Sequence, residues 1–256
     1  MKLAHLVLAS VVACSAPALA TPAPTPAAAV FDAIHAHDAA ALGRLLDADP
    51  KLASARDDSG ISATLAALFQ INADNETFAK PDDNPLLRAV IAHHPVLDVF
   101  DAAAVGDLAR LRALVGANRA LAGSYHPALG VTPLHLAAFG GRVPAIELLL
   151  GNGVAVDVVS HNIFHNTPLI LAVLTSQRDA AALLLARGAD ANAVEKEGER
   201  PIHLAADADD AAMIKLLVEH GAKLDPKTDK GQTALAVARA RKRANAEREL
   251  QARGAH

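Results

Sequence analysis

Three segments of this chain carry the same alternation of apolar and polar positions. Ala145-Ile146-Glu147-Leu148-Leu149-Leu150, Ala181-Ala182-Leu183-Leu184-Leu185 and Met213-Ile214-Lys215-Leu216-Leu217-Val218 all set apolar residues at helical spacing. Each runs to a glycine (Gly151, Gly188, Gly221), the residue that best tolerates the left-handed backbone closing a helix. Another apolar segment precedes each. These are Thr132-Pro133-Leu134-His135-Leu136-Ala137-Ala138, Thr167-Pro168-Leu169-Ile170-Leu171-Ala172-Val173 and Arg200-Pro201-Ile202-His203-Leu204-Ala205-Ala206. A looser copy is Thr233-Ala234-Leu235-Ala236-Val237-Ala238. Threonine is a good N-cap, and proline after it sits where its missing N–H costs nothing. The pattern predicts helix pairs brought close by alanine, none able to bury its apolar stripe alone, so that stacking is obligatory.

The four preceding segments start 35, 33 and 33 residues apart. The N-terminal half hides the same period. Phe31-Asp32-Ala33 with Asp38, Leu42, Leu45, Leu52 and Ala53 matches Phe100-Asp101-Ala102 with Asp107, Leu111, Leu114, Leu121 and Ala122, every pair offset by 69. Projecting backwards sets repeat starts near 28, 62, 97, 132, 167, 200 and 233, with the first and last repeats serving as atypical caps. A period near 33 with Thr-Pro-Leu-His-x-Ala resembles the ankyrin-repeat family. The resemblance implies an all-α solenoid of about seven helix-turn-helix repeats joined by β-turn fingers. It also implies that His135 and His203 hydrogen-bond the backbone of neighbouring loops. A partner protein would meet the finger tips and the inner helices facing the concave groove.

Repeat two departs from the pattern. Its helices are expected near Ser62–Phe69 and Leu86–His93, with the polar stretch Gln70–Pro85 between them and no room for a finger before Phe100. That loop reads as a tolerated insertion, since loop length costs little, or as a partner contact. The fingers differ in composition. Arg56–Gly60, Glu195–Glu199 and Thr228–Gln232 are polar, with Lys196, Glu197 and Lys230 as candidate contacts. Ser124–Gly130 is one residue longer than its counterpart before Ser62, and in His161–Asn166 His165 stands where neighbours carry glycine. Tyr125, His126, His161, Ile163, Phe164 and His165 thus gather on two neighbouring fingers, the composition of an interface hot spot. The competing reading folds Tyr125 and Phe164 back onto the adjacent repeat as loop packing.

Composition narrows the chemistry. The chain is 52% hydrophobic but only 3% aromatic, which suits stacked helices with small contact residues better than a sheet sandwich. A net charge of −4 supplies no basic field for nucleic acid, and the single cysteine excludes a disulfide framework. No nucleophile elbow, phosphate loop or His-Glu-x-x-His motif is present, so neither catalysis nor a cofactor is expected. The remaining metal reading is an accessory protein or hydrolase using His126, His161 and His165, with no flanking carboxylate or cysteine to complete the set. Asp32, Asp101, Asp157, Asp190 and Asp225 recur with the repeat and read as scaffold. Arg239, Arg241, Lys242, Arg243, Arg248 and Arg253, interleaved with Glu247 and Glu249, read as the solvated face of a capping helix.

The N-terminus reads as an export signal. Lys2 precedes the apolar run Leu3–Ala13, too short to span a bilayer, and Ala18-Leu19-Ala20 is a cleavage signal before Thr21. Val11-Val12-Ala13-Cys14 offers a second reading, a lipobox that would acylate Cys14 and tether the chain to a membrane. The expected organisation is a signal peptide over 1–20, an extended Pro/Ala linker over 21–29 and a repeat domain over 30–256. The chain is expected to work as a monomeric, non-catalytic scaffold of a bacterial envelope, periplasmic or lipid-anchored, that binds a protein partner.

Overall fold

The computed structural model describes residues 25–70 and 83–256; the export segment, Cys14 and most of the Gln70–Pro85 loop lie outside the described residues. Among these residues the chain forms fourteen α-helices and no strand, an all-α repeat solenoid. It divides into two compact units, one reaching to Asp101 and the other spanning Ala102–His256.

The first unit contains α1 (Pro26–His35), α2 (Ala39–Ala48), α3 (Ala63–Leu68), α4 (Pro85–Ala92) and the start of α5 (Val99–Val105). Helix α1 begins inside the segment expected to be an extended linker. Thr25 accepts from the Ala28 N–H at 3.2 Å, Pro26 occupies the first turn, and three alanines carry the helix on. In repeat two, the side chain of Asn84 accepts from the N–H groups of Leu86 and Leu87 and donates to the Ala67 carbonyl at 2.7 Å. The buried Asn84 thereby pins α4 to α3 after the long loop. Ser62 caps α3 and donates its hydroxyl to the buried Asp101 carboxylate. Burial, then the neighbouring Asp98 carboxylate, pushes Asp101 up to about 6.

The second unit holds the rest of α5 and α6 (Leu108–Ala117), α7 (Pro133–Phe139), α8 (Val143–Gly151), α9 (Pro168–Leu174), α10 (Arg178–Ala186), α11 (Pro201–Asp207), α12 (Ala211–Glu219), α13 (Ala234–Ala240) and α14 (Ala244–Ala252). Inner helices α7, α9, α11 and α13 stack in order, and outer helices α8, α10, α12 and α14 stack beside them. Leu134, Ile146, Leu149, Leu169, Leu184 and Leu217 are fully buried between the rows, and Ala137, Ala138, Ala172, Ala205 and Ala206 keep the inner row close. The offset of 69 has a structural counterpart. Helices α2 and α6 are both followed by a 3₁₀ turn, Pro50–Ser54 and Arg119–Gly123, with Asp49 and Asn118 capping at 3.1 Å each.

The recurring carboxylates prove to be ties between repeats. Asp157 accepts from the Asp190 N–H (3.1 Å), Asn192 from the Lys223 N–H (2.9 Å) and Asp225 from the His256 N–H (3.0 Å). Asn192, not Asp190, is therefore the counterpart of Asp157 and Asp225. The register of the closing glycines also shifts. Gly151 is the last residue of α8, and the left-handed residue is Gly153 (φ 90°), matching Gly188 and Gly221.

Each inner-to-outer helix turn of the second unit contains one left-handed residue: Gly106, Gly141, Ser176, Asp209 or Lys242. A side chain there carries a steric penalty of about 1 kcal/mol. Lys242→Gly is therefore expected to raise stability by about 1 kcal/mol, read from the midpoint of a urea transition.

Candidate partner-binding groove

The fingers are closed by one backbone bond at the base. It runs from Asp57 to Ile61 in the first unit (2.9 Å). In the second unit it runs from His126 to Val131 (2.8 Å), Ser160 to Asn166 (2.9 Å), Glu195 to Glu199 (3.0 Å) and Thr228 to Gln232 (3.0 Å). The fingers opened by His126 and Ser160 are thus longer than the others by one and two residues. The opening residue also caps its own turn. Asp57 accepts from Ser59 and Ile61, His126 Nδ1 from Ala128 and Leu129, Glu195 from Glu197 and Glu199, and Thr228 from Gln232. Any side chain with a well-aimed acceptor serves at this position.

Successive fingers of the second unit are joined by main-chain bonds. The N–H groups of His161, Lys196 and Asp229 donate to the carbonyls of Gly130 (2.7 Å), Phe164 (3.1 Å) and Glu197 (3.1 Å). A glycine with positive φ stands near the end of four fingers, at Gly60, Gly130, Gly198 and Gly231. At Gly130 and Gly198 a Cβ would lie 2.9 and 2.7 Å from backbone nitrogen of the next finger. In the longest finger His165 takes this conformation instead, with φ 54°. Its exposed imidazole is presented where every neighbour has no side chain at all.

Several expected contact residues have other work. His126 is 3% exposed and commits its Nδ1 to the turn, so it is a buried cap and not a contact. Phe164 is 6% exposed, so its ring is buried and not offered to a partner. Half-buried Tyr125 stacks on His161 with ring centroids 3.5 Å apart and donates its hydroxyl to the Val159 carbonyl at 3.0 Å. Lys230 is paired with Glu197 across two fingers, and the two neutralise each other. Ile163, at 53%, and the side chains of His161, His165 and Lys196 remain exposed. Among the described residues no three His, Cys, Asp or Glu side chains converge as a metal would need, and the finger histidines are not brought together.

The motif residues lie inside the scaffold. Thr132, Pro133, Thr167, Pro168 and Pro201 open α7, α9 and α11 from buried positions, and Thr233 caps α13 through the Ala236 N–H at 3.2 Å. His135 is fully buried. Its Nδ1 accepts from the Thr132 N–H at 3.2 Å, and its Nε2 donates to the Asn166 carbonyl at 2.9 Å. His203 repeats this with Arg200 N–H (3.1 Å) and Pro226 carbonyl (3.0 Å). Burial lowers both imidazoles, His135 to about 4. In the neighbouring finger, burial and then the Glu195 and Glu197 carboxylates push Glu199 up to about 7. The basic C-terminal helices carry ion pairs of their own: Arg239 with Glu247 at 2.9 Å, Arg241 with Asp207 at 3.3 Å and Arg253 with Glu249 at 2.9 Å.

Beside these fingers lies an open groove of about 550 Å³, lined by Asp157, Val159, His165, Thr167, Asp190, Ala193 and Val194. Four large apolar side chains are exposed among the described residues: Val96, Val159, Ile163 and Val194. Val159 and Val194 line this groove, each directly before the residue that opens a finger, and Ile163 lies on the Ser160–Asn166 finger. Period counting overlooks Val159 and Val194, yet a signal exists. Both stand six residues after a left-handed glycine, where the next repeat carries Lys227.

The family model described as ankyrin repeats (3 copies) matches residues 99–195 and 183–256, more than half of the chain. The chain belongs to the ankyrin-repeat family. Its ankyrin repeats are 32% identical to human B-cell lymphoma 3 protein over 117 residues, 43% of this chain and 25% of that protein. They are 35% identical to ankyrin repeat and SOCS box protein 11 of Danio rerio over 113 residues, 44% of this chain and 38% of that protein. Over 86 residues they are 35% identical to the E3 ubiquitin-protein ligase KEG of Arabidopsis thaliana, 34% of this chain and 5% of that protein. The chain thus spans well under half the length of the relatives it matches, and what it shares with them is the repeat. Ankyrin repeats mediate binding to protein partners, and this chain is a protein-interaction scaffold in that coarse sense.

Proposed function

We propose that this ankyrin-repeat protein holds its partner in the groove between the 160–166 and 195–199 fingers, with Ile163, Val159, Val194 and His165 as the contact core. The observation that carries the reading is that two of the four exposed large apolar side chains, Val159 and Val194, line one concavity, with a third, Ile163, on the finger that contributes His165 to it. Scattered surface valines need no explanation, but an apolar cluster in a groove rimmed by polar residues marks an interaction site. The Tyr125–His161 stack supports the rim, and Lys196 contributes a charge at its edge. The export-type segment at residues 1–20 supports action in a bacterial envelope, which N-terminal sequencing of the fractionated protein tests: a start at Thr21 means release, and an acylated Cys14 means a tether.

The test is affinity capture with the full chain and with Ile163→Ser/Val194→Ser, two exposed positions whose loss leaves the core intact. A partner retained by the native chain should bind the variant at least about a hundredfold more weakly, the scale of a two-residue hot spot. Equal retention at unchanged melting temperature would place the interface elsewhere. His165→Gly separates binding from folding more sharply. Removing a side chain from the left-handed region should stabilise the protein by about 1 kcal/mol, while partner affinity falls because the groove loses one wall. A variant that gains stability and keeps full affinity would remove His165 from the contact core.

A further inference from the structure

The groove is lined by both apolar and acidic side chains, and among the described residues no cation pairs with the acids. Asp157 and Asp190 line it together with Val159 and Val194. The Asp157 carboxylate is held by one donor, the Asp190 N–H, at 3.1 and 3.2 Å from its two oxygens. Asp190 accepts from the Asn192 N–H at 2.8 Å through one oxygen. Among the described residues neither carboxylate is ion-paired, whereas Glu197, Glu247, Glu249, Asp207 and Asp210 all are. One repeat further on, Asp157, Val159, Asp190 and Val194 are replaced by Asn192, Val194, Lys223 and Lys227. The acidic and apolar combination is therefore confined to this step of the solenoid, and the next step carries two lysines in its place.

Resting on the groove reading above, we propose that the occupant is an extended segment of the partner protein bearing an arginine or lysine beside an aliphatic residue. The aliphatic side chain lies on Val159 and Val194, and the cation reaches the carboxylates of Asp157 and Asp190, neither of which has a cationic partner among the described residues. Two carboxylates fixed by backbone donors in a groove they share with two exposed valines favour a long basic side chain, whose methylene stem suits the valines while its head suits the acids. An acidic or neutral segment would leave both carboxylates desolvated and unpaired.

The probe is a library of random dodecapeptides displayed on phage and selected on the full chain, followed by fluorescence anisotropy on synthetic copies of the selected peptides. Selected peptides should carry Arg or Lys adjacent to Val, Ile or Leu, and added salt should weaken them. Asp157→Asn/Asp190→Asn should raise Kd at least about tenfold with no change in melting temperature, because the amide oxygens keep both backbone bonds. Peptides without a basic residue, or affinities indifferent to the two amides, overturn the cation assignment. If those peptides are still lost on Ile163→Ser/Val194→Ser, the groove reading survives that result. Binding that survives both double variants, or selection that yields no groove-dependent peptide, overturns both.

Discussion

Gly140→Ala is expected to cost about 3 kcal/mol and to lower the melting temperature by roughly 5–10 °C. Gly140 closes α7 at an ordinary φ of −78°, so backbone strain is not the reason. A Cβ there would sit 2.4 Å from the carbonyl oxygen of Ala104 in the preceding repeat and 3.3 Å from that of Leu136. Neither is the yielding end of a flexible side chain, so the repeats must separate locally. The equivalent residues in the next three repeats are Thr175, Ala208 and Arg241, which would mark Gly140 as freely replaceable by its own chain. The geometry says otherwise. Thr175 has room to donate its hydroxyl to the Phe139 carbonyl at 2.9 Å, whereas at Gly140 the repeats approach too closely for any side chain. Gly116 supplies the control within the same unit, since it lies inside α6 and an added methyl group there would meet nothing within 4 Å. Gly116→Ala should raise stability by about 0.5–1 kcal/mol, the helix-propensity difference. Urea transitions of both variants give the comparison, and a Gly140→Ala midpoint equal to that of the native chain would refute the close-approach argument.

The repeat is legible in the sequence because it is written in the backbone's own chemistry. Thr132, Thr167 and Thr233 start helices and Gly188 and Gly221 end them wherever they occur, so period and caps can be read without coordinates. The roles of His135 and His203 come through the resemblance and hold in detail. The finger faces are less legible. Two extra residues in the Ser160–Asn166 finger turn Phe164 inward and Ile163 outward, and no period of 33 encodes that. His126 passes for a contact in the sequence because a finger-opening acceptor can be Asp, His, Glu or Thr, a job defined by geometry and hidden from composition. The groove itself stays hidden since Val159 and Val194 look like ordinary repeat residues until their exposure is seen. Helix α1 enters the supposed linker for a simpler reason: Thr-Pro-Ala-Ala-Ala is a helix start as well as a spacer.

His135→Ala should destabilise the protein by about 4 kcal/mol at pH 7.5, and the gap to the native chain should narrow by about 2 kcal/mol at pH 5. The imidazole works only as the neutral Nε2–H tautomer, accepting from Thr132 and donating to the Asn166 carbonyl. Burial holds it down to about 4, below the ordinary value of 6.5. A lowered imidazole contributes stability that is fully present above 6.5 and is lost as pH falls toward 4, at about 1.4 kcal/mol per pH unit. The native chain alone would not reveal this slope. Asp101, at about 6, and Glu199, at about 7, are raised, so the folded state holds protons there that the unfolded chain releases, and their contribution runs in the opposite direction. Subtracting the His135→Ala curve from the native one cancels both carboxyls and leaves the imidazole. A gap that stays constant between pH 7.5 and 5 would contradict a buried neutral His135. The same variant bears on binding, because the Asn166 carbonyl that His135 holds also accepts the Ser160 N–H closing the groove finger at 2.9 Å. Freed from His135, that finger loses its anchor to α7, so His165 and Ile163 are no longer fixed for a partner. Affinity should then fall even at pH 7.5 and low temperature, where the variant remains folded.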